Sequence, residues 1–384
     1  MKMRKILALV ATVALGATTL FGCGQSGYTS ENTEYVIGVS GPLTGPAAVY
    51  GTAVQNSAQM AVDEINAAGG LNGVNFKLIA TDDTHDATKV STNYSSMLED
   101  GMQVSLGTVT TAPGLEFTNL SAEDNVFFLT PSASGDDIPK NDNGFQMCFA
   151  DGNQGGVAAQ YVNENFKGQT IGVFYKSDDA YSNGIFKQFK ENLDSSIKTV
   201  EAVFTDANAT DFSAQISSLK DCTFIFMPIY YTPASLFMTQ AKDQVAANAT
   251  YYGCDGFDGI ESAEGFDINA IPQEVTMLSH FNSKATDGAA AEFVKKYTEK
   301  YGKDTLNQFG ASAYDCVYAI YNAMKEAGDD IEVTISASDL CDILKEKFAN
   351  GFTYSGVTGD NITWESNGYV QKGAVKYVIK EAAK

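Results

Sequence analysis

Hydroxyl-bearing side chains are concentrated in short segments that directly follow predicted strands, which is where ligands of open α/β sheets bind. In the first half of the chain these segments are 107–111 and 130–134, with Tyr50 in a third. In the second half the corresponding segments contain Tyr181, Tyr230 with Tyr231, and Asp255. Hydroxyl groups and helix N-termini bind a carboxylate, whereas an aspartate and backbone carbonyl groups bind an ammonium. The sequence therefore predicts a site that suits an α-amino acid zwitterion.

Ordinary structural roles also explain each of these residues when it is considered alone. Serine and threonine after a strand commonly cap the next helix, and tyrosines are often half-buried in a core. The occurrence of six such segments at equivalent places, three in each half of the chain, favours the ligand site.

Motifs for catalysis or metal binding are missing from the sequence. The two histidines, His85 and His280, are far apart and lack neighbours at metal-ligand spacing, so each is predicted to be a surface or boundary residue. Two Ser-x-x-Lys matches, at 195–198 and 217–220, lie in ordinary amphipathic context. The acidic stretch 255–267 lacks the residue order of an EF-hand loop and is predicted to be mostly a solvated loop. We expect no enzyme, no metal and no cofactor.

Two successive α/β units are predicted to position the site. Strands of the first unit are predicted at 35–40, 76–81, 104–106 and 126–130, and strands of the second at 170–175, 199–204, 223–227 and 275–279. Helices are predicted between them, and in the second unit they fall at 180–195, 210–220 and 233–247. The first helix is the clearest, because Val54, Ala58, Ala61 and Ile65 share one face and Gly69-Gly70 can end it. Such alternation predicts parallel sheets.

The C-terminal part departs from this pattern. Three helices are predicted in a row, at 284–301, 309–327 and 337–349, before a strand-like pair at 362–364 and 369–379. These helices are expected to join the first unit and the strands to edge the second, so the chain crosses between the units more than once.

The composition excludes several classes of protein. With 44% hydrophobic residues among 384, the chain can bury a large core, so a disordered or fibrous protein is excluded. With 25 basic against 47 acidic residues, the net charge is −22, and the body of the chain has no basic cluster of the kind that binds phosphates. We expect no nucleic acid partner.

The first 22 residues are predicted to be a signal peptide. Lys2, Arg4 and Lys5 precede the apolar stretch 6–20, which is too short to span a bilayer comfortably. The sequence Leu-Phe-Gly-Cys at 20–23 resembles the lipobox of bacterial lipoproteins, in which Cys23 would carry the lipid. An ordinary cleaved signal with an incidental cysteine is the alternative. Residues 23–33 are predicted to be a lipidated, flexible tether, which makes the protein extracytoplasmic and attached to the membrane only by its anchor.

The remaining cysteines carry little information. They are an odd number, and their spacings match neither zinc nor redox motifs: Cys148, Cys222, Cys254, Cys316 and Cys341. At most two disulfides could form among them, and none is required.

Several segments together resemble the leucine/isoleucine/valine-binding proteins of bacterial ABC importers, which have the type I periplasmic-binding-protein fold. These segments are 37–45, 65–70, 309–315 and 354–364. The resemblance covers nearly all of the chain after the signal peptide. It implies an α/β fold of two lobes, each a parallel sheet flanked by helices, with three hinge crossings. It also implies a first lobe of 34–151 plus 281–354 and a second of 152–280 plus 355–384.

The resemblance assigns roles to individual residues. It implies that Thr111 and Ser134 bind the ligand carboxylate, helped by backbone N–H groups near Ala112. The Ser132 carbonyl, the Ser134 hydroxyl and Asp255 would bind the ammonium. Tyr50, Tyr181 and Tyr230 would form an aromatic wall with Val109, and Tyr231 is the close rival of Tyr230. Asp255 stands where a glutamate is more usual, so its carboxylate reaches less far, and Ser132 replaces a hydrophobic or small residue.

We therefore predict a monomeric, extracytoplasmic substrate-binding lipoprotein that captures an amino acid and delivers it to ABC permease subunits. Leucine, isoleucine or valine is the favoured ligand. Aromatic amino acids and amide or urea-like ligands stay open, as does a sensory role on the same fold. An amidase on the same lobes would need a nucleophile and a base in the cleft.

Overall fold

The computed structural model describes residues 31–328 and 331–383. The predicted signal peptide, Cys23 and most of the predicted tether lie outside this part of the chain. Within the described ranges, no helix is both long and apolar enough to cross a membrane.

Five parallel strands form the first sheet, in the order β2-β1-β3-β4-β5. The strands are β1 (Tyr35–Gly41), β2 (Phe76–Asp82), β3 (Val104–Ser105), β4 (Phe128–Thr130) and β5 (Gly144–Gln146). The helices between them are α1 (Ala48–Ala67), α2 (Val90–Glu99) and α3 (Thr111–Glu123). The sequence prediction missed β5, because a run of three residues has too few positions to show a period.

Six strands form the second sheet, in the order β11-β10-β9-β8-β6-β7. They are β6 (Thr170–Lys176), β7 (Lys198–Phe204), β8 (Phe224–Met227), β9 (Thr250–Gly253), β10 (Glu274–Ser279) and β11 (Val375–Lys380), and only β11 runs antiparallel to its neighbour. The helices are α4 (Asp151–Asn165), α5 (Ala180–Asn192), α6 (Ser213–Leu219) and α7 (Tyr231–Ala241). Strand β9 was missed as a strand, although it lies centrally between β8 and β10.

The C-terminal helices return to the first sheet. They are α8 (Gly288–Tyr301), α9 (Gln308–Ala327) and α10 (Ala337–Ala349). Helices α8 and α9 pack on α1, and α10 packs on α9 and β3. The first lobe thus consists of the β1–β5 sheet with α1–α3 and α8–α10, and the second lobe consists of the β6–β11 sheet with α4–α7. The chain passes between the lobes three times, after β5, after β10 and before β11, and the predicted fold class is confirmed.

The predicted strand pair near the C-terminus was wrong in detail. Residues 362–364 make only isolated bridges, from Ile362 to Tyr354 and from Trp364 to Val370, and the regular strand begins at Val375. The segment between them is held by Lys372, whose buried Nζ donates to the Met147 carbonyl at 2.9 Å and to Thr358 Oγ1 at 2.7 Å. These contacts tie the third interlobe passage to the first.

Close contact between α1 and α9 depends on small residues. A Cβ at Gly310 would lie 2.8 Å from Ser57 Oγ and 3.1 Å from the Ala53 carbonyl oxygen, so only glycine lets the helices approach this far. Helix α1 ends as predicted at Gly69-Gly70, where both glycines have positive φ. The packing places Tyr50 and Phe309, near the N-termini of these helices, side by side with ring centroids 5.0 Å apart.

Candidate ligand-binding site

The carboxyl ends of strands from both sheets meet at one cleft between the lobes. Nine residues line a small cavity there: Tyr50, Val109, Thr111, Ser132, Ser134, Tyr181, Tyr230, Asp255 and Phe309. Seven of the eight ligand-binding residues predicted from the sequence belong to this set. The eighth, Ala112, is not among the lining residues and is the second residue of α3.

The N-terminus of α3 points hydrogen-bond donors at the first-lobe side of the cleft. Thr110 precedes the helix in an extended conformation and Thr111 begins it. The first backbone N–H groups of a helix, including that of Ala112, have no acceptor within the helix. Thr111 Oγ1 is buried and has no hydrogen-bonding partner among the described residues. Together with the helix dipole, these groups give this end of the cavity the chemistry that suits an anion.

The loop after β4 is fixed by its own hydroxyl groups. Thr130 Oγ1 accepts hydrogen bonds from the backbone N–H groups of Ser132 and Ala133. The Ser132 hydroxyl donates to the Val109 carbonyl at 2.6 Å, so it serves the loop. This arrangement is consistent with the predicted role of Ser132, which needed only its carbonyl.

Aromatic rings from both lobes form the wall of the cavity. The rings of Tyr181 and Tyr230 are stacked, with centroids 4.5 Å apart and an interplanar angle of 13°. Tyr50 packs against Tyr230 and against the edge of Tyr231. Of the two rival tyrosines, Tyr230 lines the cavity, whereas Tyr231 begins α7 behind it.

Asp255 faces the cavity from the second lobe and is almost completely buried, with 1% of its surface exposed. Its Oδ1 accepts a hydrogen bond of 2.6 Å from the Tyr181 hydroxyl, and its backbone N–H donates to Gln154 Oε1 at 2.9 Å. Its Oδ2 has no partner among the described residues. Burial raises the pKa of this carboxyl to about 6, although the hydrogen bonds from Tyr181 and Gln154 oppose the increase. An unpaired, buried carboxylate oxygen of this kind is satisfied by a cation.

Hydrogen bonds also join the two lobes across the cleft. The Tyr50 hydroxyl donates to the Gly256 carbonyl at 2.5 Å and accepts from the Tyr231 backbone N–H at 3.3 Å. At the rim, Thr232 Oγ1 donates to the Pro46 carbonyl at 2.7 Å, and the Gln308 backbone N–H donates to Asp258 Oδ2 at 2.8 Å. The lobes are therefore in contact around the cavity.

Sequence reasoning missed two residues beside the cavity. Phe309 lines the cavity. The sequence did not indicate this role, because a phenylalanine near the start of a helix is usually a core residue. Asp151 is the first residue of α4, has 1% of its surface exposed, and has an unpartnered Oδ2. Its place directly after the buried stretch 144–150 is the signal that could have identified it.

The two histidines are half-buried, in agreement with the predicted boundary positions. His85 Nδ1 lies 2.9 Å from Thr110 Oγ1, and its ring packs edge-on against Tyr230 at 5.3 Å. His280 Nε2 lies 2.7 Å from Ser312 Oγ near the second interlobe passage. Burial lowers the pKa of both rings.

Within 31–328 and 331–383, no group of three or more His, Cys, Asp or Glu residues is placed to hold a metal. The five cysteines in these ranges are buried and unpaired.

Residues 34–380 match a protein family described as periplasmic binding protein. The chain belongs to this family. A Leu/Ile/Val-binding protein of Rhizobium johnstonii is 30% identical over 363 residues, covering 91% of this chain and 95% of that protein. The resemblance to the leucine/isoleucine/valine-binding proteins is thus confirmed.

Solved structures of periplasmic binding proteins share the two-lobed fold. The branched-chain amino acid substrate-binding protein of Streptococcus pneumoniae, solved with isoleucine, is 25% identical, covers 90% of this chain and 100% of its own, and has a TM-score of 0.74. A solute-binding protein of R. palustris, solved with benzoate, is 18% identical, covers 90% of this chain and 93% of its own, and has a TM-score of 0.76. At that identity the second comparison concerns the fold alone.

Proposed function

We propose that this periplasmic binding protein is the extracytoplasmic receptor of an ABC importer for an α-amino acid, with leucine, isoleucine or valine favoured. One observation carries the proposal. Unpartnered, buried polar atoms lie on both sides of a single cavity, with Thr111 Oγ1 on the first lobe and Asp255 Oδ2 on the second. A zwitterion supplies one charged group for each side.

The first lobe would hold both charged ends of the amino acid, and the second lobe would add its tyrosines and Asp255. The carboxylate would accept hydrogen bonds from Thr111, Ser134 and the free N–H groups at the start of α3. The ammonium would donate to Asp255, to the Ser132 carbonyl and to the Ser134 hydroxyl. A branched side chain would pack against the apolar and aromatic wall.

Closure would follow because the ligand contacts both lobes. A ligand that contacts both lobes gains most of its interactions only when the lobes meet, so it shifts the protein toward the closed form. Hydrogen bonds such as that from Tyr50 to Gly256 would then add to the closed state alone. The closed form is the one proposed to dock on the permease, and no covalent bond changes.

The comparisons support the ligand class and the location. The relatives include a Leu/Ile/Val-binding protein and a leucine-, isoleucine-, valine-, threonine- and alanine-binding protein of Pseudomonas aeruginosa, the latter 29% identical over 80% of this chain and 82% of its own length. The lipid anchor on Cys23, the permease partner, the monomeric state and the lobe boundaries at 151, 280 and 354 belong to the same proposal. They rest on features of the sequence.

A binding screen tests the ligand. We would measure thermal shifts with the twenty amino acids and with short amides, followed by calorimetry on the hits. A ligand at about a thousand times its dissociation constant adds roughly 4 kcal/mol of stability. Leucine, isoleucine or valine among the hits supports the specificity. The stacked Tyr181–Tyr230 pair offers a flat surface to aromatic amino acids, and hits restricted to these would change the assigned specificity. The absence of any amino acid hit would refute the proposal.

Asp255→Asn is the diagnostic variant. Removing the charge leaves a buried ammonium without its counter-ion, which weakens binding by at least about 100-fold. An amide-type ligand would lose little. The matched control is Asp267→Asn, the same change at an exposed aspartate of the same acidic segment. Equal affinities of the two variants for an amino acid would contradict the assigned role of Asp255.

A sensory role would give the same binding data. Uptake of radiolabelled ligand in cells that lack the gene separates the two, since only a transport receptor is required for uptake.

A further inference from the structure

Besides Asp255, a second buried acid lies next to residues that line the ligand cavity, in the first interlobe passage. Asp151 begins α4, and its backbone N–H donates to the carbonyl of Ser134 at 2.8 Å. Its Oδ1 accepts a hydrogen bond from Gln154 Nε2 at 3.4 Å, and the other end of the same amide accepts from the backbone N–H of Asp255 at 2.9 Å. Gln154 thus bridges the two aspartates.

The free oxygen of Asp151 lies close to Thr111, which lines the cavity. A Cβ at Gly135 would lie 2.7 Å from Thr111 Cγ2 and 3.9 Å from Asp151 Oδ2, so Asp151 and Thr111 flank the same small volume. A Cβ at Gly184, one turn beyond Tyr181 in α5, would lie 3.8 Å from Asp151 Oδ2 and otherwise in open space among the described residues. Glycines therefore leave room on both sides of this oxygen.

We infer that Asp151 is a second carboxyl group beside the ammonium end of the ligand site, and that binding of an amino acid expels a proton that the two buried acids, Asp151 and Asp255, hold in the empty site. The inference rests on the proposed function. Both aspartates have 1% of their surface exposed, and each has one oxygen without a partner. Two buried carboxyl groups at one site do not both ionise readily without a cation.

Within the described ranges, no cation is among the groups with the largest effect on the pKa of Asp151. The ionisable groups whose charges act on Asp151, or on which it acts, are acids, thiols and phenols: Asp136, Asp179, Asp255, Cys148, Cys254, Tyr181, Tyr230 and Tyr369. Burial raises the pKa of Asp151 well above its ordinary value, and the charge of Asp255 adds to the increase. A side-chain hydrogen bond with Ser134 opposes this increase in pKa. A ligand ammonium would bring the missing positive charge.

The sign of the linkage follows directly. The empty site holds a proton that the occupied site does not, so affinity rises with pH while the acids of the empty site titrate. Release of one whole proton corresponds to about a tenfold gain in affinity per pH unit. Since the pKa of Asp255 is about 6, its own contribution to this rise fades above about pH 7.

Calorimetry of the purified protein with leucine tests the inference. Titrations at one pH in buffers of different ionisation enthalpy give the number of protons released, and we expect a measurable fraction of one proton for the wild type and less for Asp151→Asn. Asp211→Asn, the same change at an exposed aspartate, should match the wild type. If leucine gives no heat, the amino acid with the largest thermal shift replaces it.

Each outcome decides. Binding without proton release, proton uptake, or equal release by Asp151→Asn and the wild type overturns the inference while the proposed function stands. If Asp151→Asn does not fold, the wild type still decides, because binding without proton release leaves no part for a proton on Asp151. Failure of all twenty amino acids to bind refutes the proposed function, and the inference falls with it.

Discussion

Replacing Tyr50 by phenylalanine removes one oxygen atom from the interface between the lobes. That oxygen donates to the Gly256 carbonyl at 2.5 Å and accepts from the Tyr231 backbone N–H at 3.3 Å. Tyr50 and Gly256 are on different lobes, so the hydrogen bonds exist only while the lobes are together. The ring keeps its contacts with Phe309 and Tyr231.

The magnitude follows from the two groups left without a partner. A buried donor or acceptor that loses its hydrogen bond costs about 1–3 kcal/mol, and in an open cleft water would solvate both groups. The penalty therefore applies to the closed state, and ligand affinity falls by roughly 5- to 150-fold. The free energy of unfolding should change much less if the unliganded protein is mostly open.

Calorimetry with leucine measures the change, and small-angle scattering with saturating ligand shows whether the variant still closes. The control is Tyr321→Phe, a tyrosine of α9 packed against Phe76 at the start of β2. An affinity of Tyr50→Phe within twofold of the wild type would refute the reasoning, because the interlobe hydrogen bond would then contribute nothing to closure. An equal loss in Tyr321→Phe would show a general effect of losing a hydroxyl.

Four further outcomes are expected. Cys23→Ala should move the protein from the membrane fraction to the soluble fraction, and an unchanged distribution would exclude the lipid anchor. Gly51→Ala places a Cβ 2.2 Å from the Pro42 carbonyl oxygen and should destabilise by about 1–3 kcal/mol in denaturant unfolding, whereas Gly156→Ala, with open space around it, should stabilise by about 0.5–1 kcal/mol. Asp315→Ala removes the acceptor of the Val357 and Thr358 backbone N–H groups and of the Tyr354 hydroxyl, which should lower the free energy of unfolding by about 3–5 kcal/mol. Asp339→Ala, at the start of α10, should lower it by at most about 1 kcal/mol. Burial lowers the pKa of Lys372 to about 8, so above that pH the unfolded state binds more protons than the folded state. The free energy of unfolding should therefore rise by an amount on the order of 1–3 kcal/mol between about pH 8 and 9.5. Lys372→Met should lack this rise.

Long periodic elements were predictable from the sequence, and short ones were not. The predicted first helix and the strands at 35–40 and 76–81 agree with α1, β1 and β2 to within a few residues. Strand β5 has three residues, and its place in the sheet is fixed by pairing with β4, which is a tertiary interaction that leaves no local pattern. The same holds for Lys372, because a lysine is ordinarily exposed and only the assembled passages reveal its buried partners.

The cavity residues were predictable because strand ends converge in this fold. Once the strands were located, Thr111, Ser134 and Tyr181 followed as the residues just beyond them. Phe309 and Asp151 were not, because they reach the cavity from the start of a C-terminal helix and from an interlobe passage. Residues on such connections cannot be predicted from the positions of strand ends.

The position of Asp151 connects recognition to movement. It belongs to the passage along which the chain first leaves the first lobe, and its hydrogen bonds run to Ser134 on one side and, through Gln154, to Asp255 on the other. Asp151 begins α4 and Asp255 follows β9, both in the second lobe, so closure brings the two acids against Ser134 and Thr111 of the first lobe. Burial of both carboxyl groups there needs a proton or a cation, and an ammonium supplies the cation. The same pair of aspartates would thus keep the unliganded cleft open and favour closure once an amino acid is bound.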